Sequence, residues 1–350
     1  MKIVVMYDYA IDAQLFEDAL HTLDPSAEVV LVPWEIDTPK DVLTAKQLNM
    51  EKNGPDVEPT APEAFDAVSD ADVLLTHLAP IPESLIAAGP KLRLVGTVRG
   101  GMEHVDIAAC TARNIPVIHC IRNADCTSDF TVGLILAETR NIARSHAAIM
   151  RGDYRREYVN DAYTTSLCNM RLGIVGLGHI GKLVARKLTG FGCELVGYDP
   201  YVTQEALDAA GLPVRKVALE ELFSTSDVVT LHLRVTPETK NMVNAQLIGL
   251  MKPTAYLINA ARAGVLDRDA FVDALREKRI GGGALDVYWE EPLAADDPLL
   301  ALDNVTLTPH IAGTVVDALP RSPLLLVDEI RRFWETGTSD MVVNLRNIEA

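Results

Sequence analysis

The chain is short of cysteine, of positive charge and of long apolar runs, and each shortage excludes something. Its five cysteines, at positions 110, 120, 126, 168 and 193, include no CxxC pair and are odd in number. That pattern argues against a disulfide framework or a zinc site and suits thiols in a reducing cytoplasm; no metal is expected. Lys and Arg total 32 against 49 Asp and Glu, a net charge of -17. A phosphate backbone or an anionic membrane surface would be repelled at long range, so neither nucleic acid nor membrane is an expected partner, and an anionic substrate needs locally placed arginines. No stretch approaches the roughly 18 uninterrupted apolar residues of a membrane span. The opening MKIVVMYDYA reaches Asp8 too soon for the core of a signal peptide.

What is present is apolar alternation. At 350 residues and 48% hydrophobic content the chain is long enough for two domains with buried cores. Short Val/Ile/Leu runs (KIVVMYD, EVVLVPW, VLLTH, LRLVGTV, IPVIHC) alternate with helical patterns. This predicts the α/β class, with a parallel sheet covered on both faces. The Pro- and acid-rich segment around residues 50–66 reads as a surface loop. A long helical stretch, DCTSDFTVGLILAETRNIARSHAAIMRG, is placed to bridge two domains. After it come six further strand candidates: RLGIVGLG, ELVGYDP, DVVTLHL, TAYLINA, GGALDVY and NVTLTPH. These suffice for a doubly wound dinucleotide domain. A last helix, about 320–336, returns the chain to the first domain. The expected division is 1–122 with 314–350, and 123–313.

The segment RLGIVGLGHIGKLVARKL holds Gly176, Gly178 and Gly181 in GxGxxG spacing between an apolar strand and an amphipathic helix. The spacing supplies a tight turn, close backbone approach to a pyrophosphate, and close packing of helix on strand. Eighteen residues past Gly181, Asp199 ends the next strand, where an acid binds ribose hydroxyls and repels a 2′-phosphate. NAD is therefore expected over NADP.

Three features follow at the ends of later strands: Arg262 in LINAARAGVLD, Asp286 and Glu291 in GALDVYWEEP, and His310 in LTPHIAG. Oxidation of a 2-hydroxy acid needs a cation for the carboxylate, a proton acceptor for the hydroxyl and a carboxylate to orient that acceptor. Arg, His and Glu meet those needs. The stretch GGGALDVYWEEPLAADDP also carries Glu290, Asp296 and Asp297. Glu290 is expected to face away, and the last two to lie in a solvated loop.

In order, spacing and flanking residues these motifs, together with LHLRVTPETKNMV, resemble the D-isomer-specific 2-hydroxyacid dehydrogenase family. The resemblance implies two Rossmann-like domains, the smaller one flavodoxin-like and substrate-binding, with a cleft between them. It implies hydride transfer between NAD and C2 of a small D-2-hydroxy acid or 2-oxo acid, in a homodimer. Arg262 then binds the substrate carboxylate, His310 is the general acid/base and Glu291 its partner. Cofactor contacts are implied at Gly176, Gly178, His179, Ile180, Gly181, Asp199, Pro200, Thr239, Ala260, Ala261, Arg262, Asp286, His310 and Gly313. Asp286 is assigned to the carboxamide. The loop VRGGMEHVD, through Arg99, Gly100 and Gly101, is the candidate grip on the substrate, and it departs from the family's usual GVGVDNID. Arg234 stands where a proline is common, and His232 is read as structural or cofactor-lining. A second reading of the same scaffold is a dinucleotide-sensing binding protein of the corepressor type.

Overall fold

In the computed structural model, which describes residues 1–348, the chain divides into two compact units. One is Met1–Arg122 together with the chain from Val315 onward; the other is Asn123–Thr314.

The first unit is built on strands β1 (Lys2–Tyr7), β2 (Glu28–Pro33), β3 (Val73–Thr76), β4 (Leu94–Thr97) and β5 (Val117–His119). All are parallel, in the order β2-β1-β3-β4-β5. Both faces of the central strands are apolar because helices cover both. Ile3, Val5 and Leu75 pack with Phe16 and Leu20 of helix Ala13–Leu23 and with Leu326, Val327 and Ile330 of helix Ala318–Thr336. On the opposite face Val4, Met6 and Leu74 pack with Leu43, Met50, Ala64 and Ile86. Each such fully buried aliphatic side chain contributes about 1.5–3 kcal/mol.

The segment 50–66 is not simply a surface loop. Helix Lys40–Asn53 runs into it, and helix Pro62–Val68 begins inside it with proline at its start, where the missing N–H costs nothing. Met50 and Ala64 face the core. The indole N–H of Trp34 donates to the Pro59 carbonyl at 2.9 Å and ties down the stretch between the two helices.

The second unit contains β6 (Arg171–Val175), β7 (Glu194–Tyr198), β8 (Val214–Lys216), β9 (Val228–Leu231), β10 (Tyr256–Asn259), β11 (Gly282–Leu285) and β12 (Val305–Leu307). They form one parallel sheet in the order β12-β11-β10-β9-β6-β7-β8. The order reverses between β6 and β9, which makes the carboxyl ends of those strands the topological switch point. Strand β8 is not among the six expected. It is only VRK, with two charged residues in three, and lies at the sheet edge.

The long helical stretch is two helices, Ala124–Thr139 and Ile142–Ile149, both within the second unit. Asn141 breaks them by taking a left-handed φ of 57°, a conformation asparagine tolerates better than most residues. Beside the break a buried ion pair forms: Arg144 Nη2 donates to Glu138 Oε1 at 2.5 Å, and Thr306 donates to Glu138 Oε2 at 2.7 Å. Burial raises the Glu138 carboxyl above its ordinary range, against the pull of Arg144.

Candidate active site

Six segments of the second unit end their strands on the same edge of the sheet: Gly176 after β6, Asp199 after β7, His232 after β9, Ala260 to Arg262 after β10, Asp286 after β11 and the loop 308–312 after β12. Parallel strands make this convergence automatic, since all carboxyl ends share one edge.

The glycine loop has the form a dinucleotide phosphate requires. Gly176 has φ 93°, and a Cβ on it would stand 2.5 Å from the His232 carbonyl oxygen. A Cβ on Gly181 would fall on the Gly176 carbonyl, whereas one on Gly178 would meet nothing within 4 Å. Helix His179–Thr189 starts from Gly178, and no side chain caps it. Its first turn, including Ile180, thus presents backbone N–H groups and the positive end of the helix dipole to open space. Asp199 holds the loop in place: Oδ2 accepts from the Leu177 N–H and Oδ1 from the Tyr201 N–H, both at 2.8 Å. These residues fit a dinucleotide.

Across the switch point, His232 Nε2 lies 3.1 Å from Thr230 Oγ1, and its desolvated setting pushes its pKa down to about 4. It is held neutral beneath the glycine loop. Thr239, in the exposed turn after β9, donates to the Arg234 carbonyl at 2.5 Å. Pro200 is exposed, Ala260 is buried and Ala261 is half-buried. Gly313 packs against the Asn123 side chain.

The reactive geometry lies at β10 to β12. His310 Nδ1 and Glu291 Oε2 are 2.8 Å apart, and Glu291 Oε1 accepts the Tyr288 N–H at 3.0 Å. With Nδ1 donating to the carboxylate, the lone pair of the neutral ring is left on Nε2. Partial burial pushes Glu291 up, but the bonds from His310 and Tyr288 and the charges of His310 and Arg262 carry its pKa below the ordinary value. The Glu291–Pro292 peptide is cis. Arg262 has an extended backbone and spends one N–H on the Ala261 carbonyl at 2.7 Å. Asn259 braces its turn, donating to the Arg262 carbonyl and accepting the Ala261 N–H, each at 3.0 Å.

Asp286 has a role that sequence reasoning missed. It is 0% exposed, and its carboxylate accepts from the Thr308 hydroxyl at 2.6 Å, the Ile311 N–H at 3.0 Å and the Ala312 N–H at 2.8 Å. These bonds clamp the loop on which His310 sits at φ 54°. A contact from Asp286 to a carboxamide would have to share a carboxylate already committed to that loop. Of the other acids in the stretch, Glu290 and Asp296 are exposed. Asp297 is not a solvated-loop residue: it pairs with Arg268 at 2.9 Å and caps the short helix Pro298–Ala301.

Arg99, Gly100 and Gly101 belong to the first unit, in the loop after β4. The two glycines are half-exposed, but Arg99 is buried and its Nη2 donates to Glu51 Oε1 at 2.9 Å. No disulfide joins the five cysteines, and burial pushes the Cys110 and Cys120 thiols up to about 12. Among the described residues no cluster could hold a metal ion, and no helix is long and apolar enough to cross a membrane.

The family model for the NAD binding domain of D-isomer specific 2-hydroxyacid dehydrogenases matches residues 132–312, the span that carries the glycine loop, Arg262, Glu291 and His310. The chain belongs to this family. Among its 2-hydroxyacid dehydrogenase relatives, the D-3-phosphoglycerate dehydrogenase of Methanocaldococcus jannaschii is 33% identical over 83% of this chain and 55% of its own length. The glyoxylate reductase of Thermofilum pendens is 37% identical over 76% of this chain and 79% of its own. The chain spans about half the length of the curated phosphoglycerate dehydrogenases it matches. In structure, the D-lactate dehydrogenase of Aquifex aeolicus, solved with NAD and lactic acid, superposes with a TM-score of 0.59 at 25% identity, covering 95% of each chain. The second unit is thus the family's NAD-binding domain, and NAD is its cofactor.

Proposed function

We propose that the protein is an NAD-dependent D-2-hydroxyacid dehydrogenase, interconverting a small D-2-hydroxy acid and its 2-oxo acid. The observation that carries this reading is the 2.8 Å pair of His310 and Glu291, set on a loop clamped by Asp286 and within the field of Arg262. Bound NAD supplies the hydride acceptor, and NADH the donor. The loop from Gly176 to Gly181 cradles the phosphates and Asp199 reads the adenosine ribose; Pro200, Thr239, Ala260, Ala261 and Gly313 line the remainder. Arg262, free of any carboxylate partner among the described residues, holds the substrate carboxylate and draws charge toward the 2-oxygen. His310 Nε2 takes the hydroxyl proton during oxidation and returns it during reduction. Glu291 fixes the tautomer and offsets the charge of the imidazolium. Asp286 positions the histidine.

The first unit is the substrate domain, with Gly100 and Gly101 offering backbone N–H groups to the substrate. A homodimer and a reducing, cytoplasmic setting complete the proposal. The test is consumption of NADH by the purified full chain over a panel of 2-oxo acids. NADH binding without turnover of any of them would refute it, and His310→Ala must abolish the activity found.

A further inference from the structure

Strand β11 lies between β10 and β12 in the sheet, so the chain leaving it is placed to reach both the loop that carries Arg262 and the loop that carries His310. Two consecutive aromatic residues stand there, Tyr288 and Trp289, after Asp286 and before Glu291. Each packs its ring against the apolar core of the second unit and sends its one polar hydrogen to a neighbouring loop. Tyr288 Oη donates to the Thr308 carbonyl at 2.8 Å, with the Leu285 carbonyl 3.4 Å away. Trp289 Nε1 donates to the Leu266 carbonyl at 2.9 Å. One bond reaches toward β12 and the other toward β10.

The acceptors are carbonyls on which the two functional turns are built. The Thr308 carbonyl also takes the His310 N–H at 3.0 Å, closing a tight turn over Pro309 that leaves His310 at φ 54°. Such a conformation in a non-glycine residue persists where the surrounding bonds over-determine it. Burial of the phenol, with the Asp286 charge alongside, pushes its pKa up to about 12, so it stays a donor wherever the protein is folded and active. Leu266, in turn, ends the single-turn helix Ala263–Val265 that starts from Arg262, and its N–H donates back to the Ala263 carbonyl at 3.0 Å. The indole thus holds the far end of the turn that presents Arg262. That guanidinium is near enough to Glu291, the partner of His310, for its charge to act on it, so the two turns serve one site. Phenylalanine would fill the same volume at both positions; the two polar hydrogens are what tie both turns to one segment.

We propose that Tyr288 and Trp289 are positioning residues: Tyr288 fixes the orientation of His310 and Trp289 that of Arg262, so that one segment sets the spacing between the proton-transfer group and the carboxylate anchor. This rests on the dehydrogenase reading for what His310 and Arg262 do, but not for the ties that hold them. Such groups work only when held to about 0.5 Å of the productive geometry.

The test uses the full chain with Tyr288→Phe and Trp289→Phe, each of which keeps a packed ring and removes one hydrogen bond. A neutral hydrogen bond carries an effect of about two- to tenfold. Tyr288→Phe is expected to lower kcat by that factor with KM for the 2-oxo acid unchanged, because proton transfer suffers and substrate capture does not. Trp289→Phe is expected to raise KM by a similar factor with a smaller change in kcat. A merely structural role would lower the melting temperature of both variants without this split. His310 is also read directly by NMR of the histidine ring nitrogens at a pH where the ring is neutral, its signals assigned by their loss in His310→Ala. The wild type is expected to show the proton on Nδ1 alone, and Tyr288→Phe a mixture of the two tautomers. A split absent from either folded variant, or tautomers unchanged in Tyr288→Phe, overturns the proposal. If one variant fails to fold, the other decides alone. If the wild type reduces no 2-oxo acid, the dehydrogenase reading falls by itself, and the ring-nitrogen signals decide the proposal.

Discussion

Replacing Glu291 with glutamine separates orientation from stability. Glutamine keeps the shape, and its carbonyl can still accept the Tyr288 N–H. Its amide, however, would present donors to His310 Nδ1, 2.8 Å from the present carboxylate oxygen. The neutral ring would then carry its proton on Nε2 and could not accept one from the substrate hydroxyl. General acid/base catalysis is worth about 10² to 10⁴ in rate, so kcat/KM for oxidation is expected to fall on the order of 10²-fold or more. Stability should barely change. The His310 and Glu291 side chains are 48% and 38% exposed, and solvent screening leaves such a pair about 0–1 kcal/mol. Steady-state rates and a melting curve on the same preparation give both numbers. A variant with near wild-type turnover, or one that loses activity only because it unfolds, would refute the assignment of Glu291 as the orienting group.

Asp286→Asn should behave in the opposite way. It sets an amide donor against one of three buried donors, and about 2 kcal/mol of lost stability, roughly 4–8 °C in Tm for a unit of this size, should accompany the loss of rate. Acid should destabilise the fold early. His104 is held well below, and His232 at about 4 against, an ordinary value of 6.5. Each folded-state pKa is depressed below its unfolded value, so the unfolded chain binds the extra protons. Stability is then full above about pH 6.5 and falls toward pH 4 by up to about 1.4 kcal/mol per pH unit for each histidine. Urea melts across that range check this, and His232→Asn should flatten the slope. Fluorescence titration should show tighter binding of NADH than of NADPH, because the Asp199 carboxylate meets the 2′-phosphate; equal affinities would contradict its ribose role.

Much of the nucleotide half was legible because its signals are local. A glycine loop, an acid at the next strand end and a histidine in TPHIAG are each read within a few residues. What stayed hidden depended on tertiary contact. Strand β8 has too few apolar residues to show a pattern, and the break at Asn141 turns on one residue taking a left-handed conformation among good helix formers. Met50 and Ala64 sit among prolines and acids that mask the helices they belong to. The clamp by Asp286 joins residues 22 to 26 positions apart, and Asp8 meets His77 across 69. No window along the chain contains such pairs.

The first unit is assembled from two segments separated by the whole of the second unit. Ile3, Val5, Leu75 and Leu94 share a core with Leu326, Val327 and Ile330, which the ribosome makes only after the second unit. At about 5–20 residues per second, the nascent sheet waits some 10–40 s after Arg122 for the helix that covers it. Through that interval an apolar sheet face is open to solvent while the nucleotide-binding unit is already able to close. During synthesis this protein is therefore most exposed to chaperones, and to aggregation, at strands β1, β3 and β4.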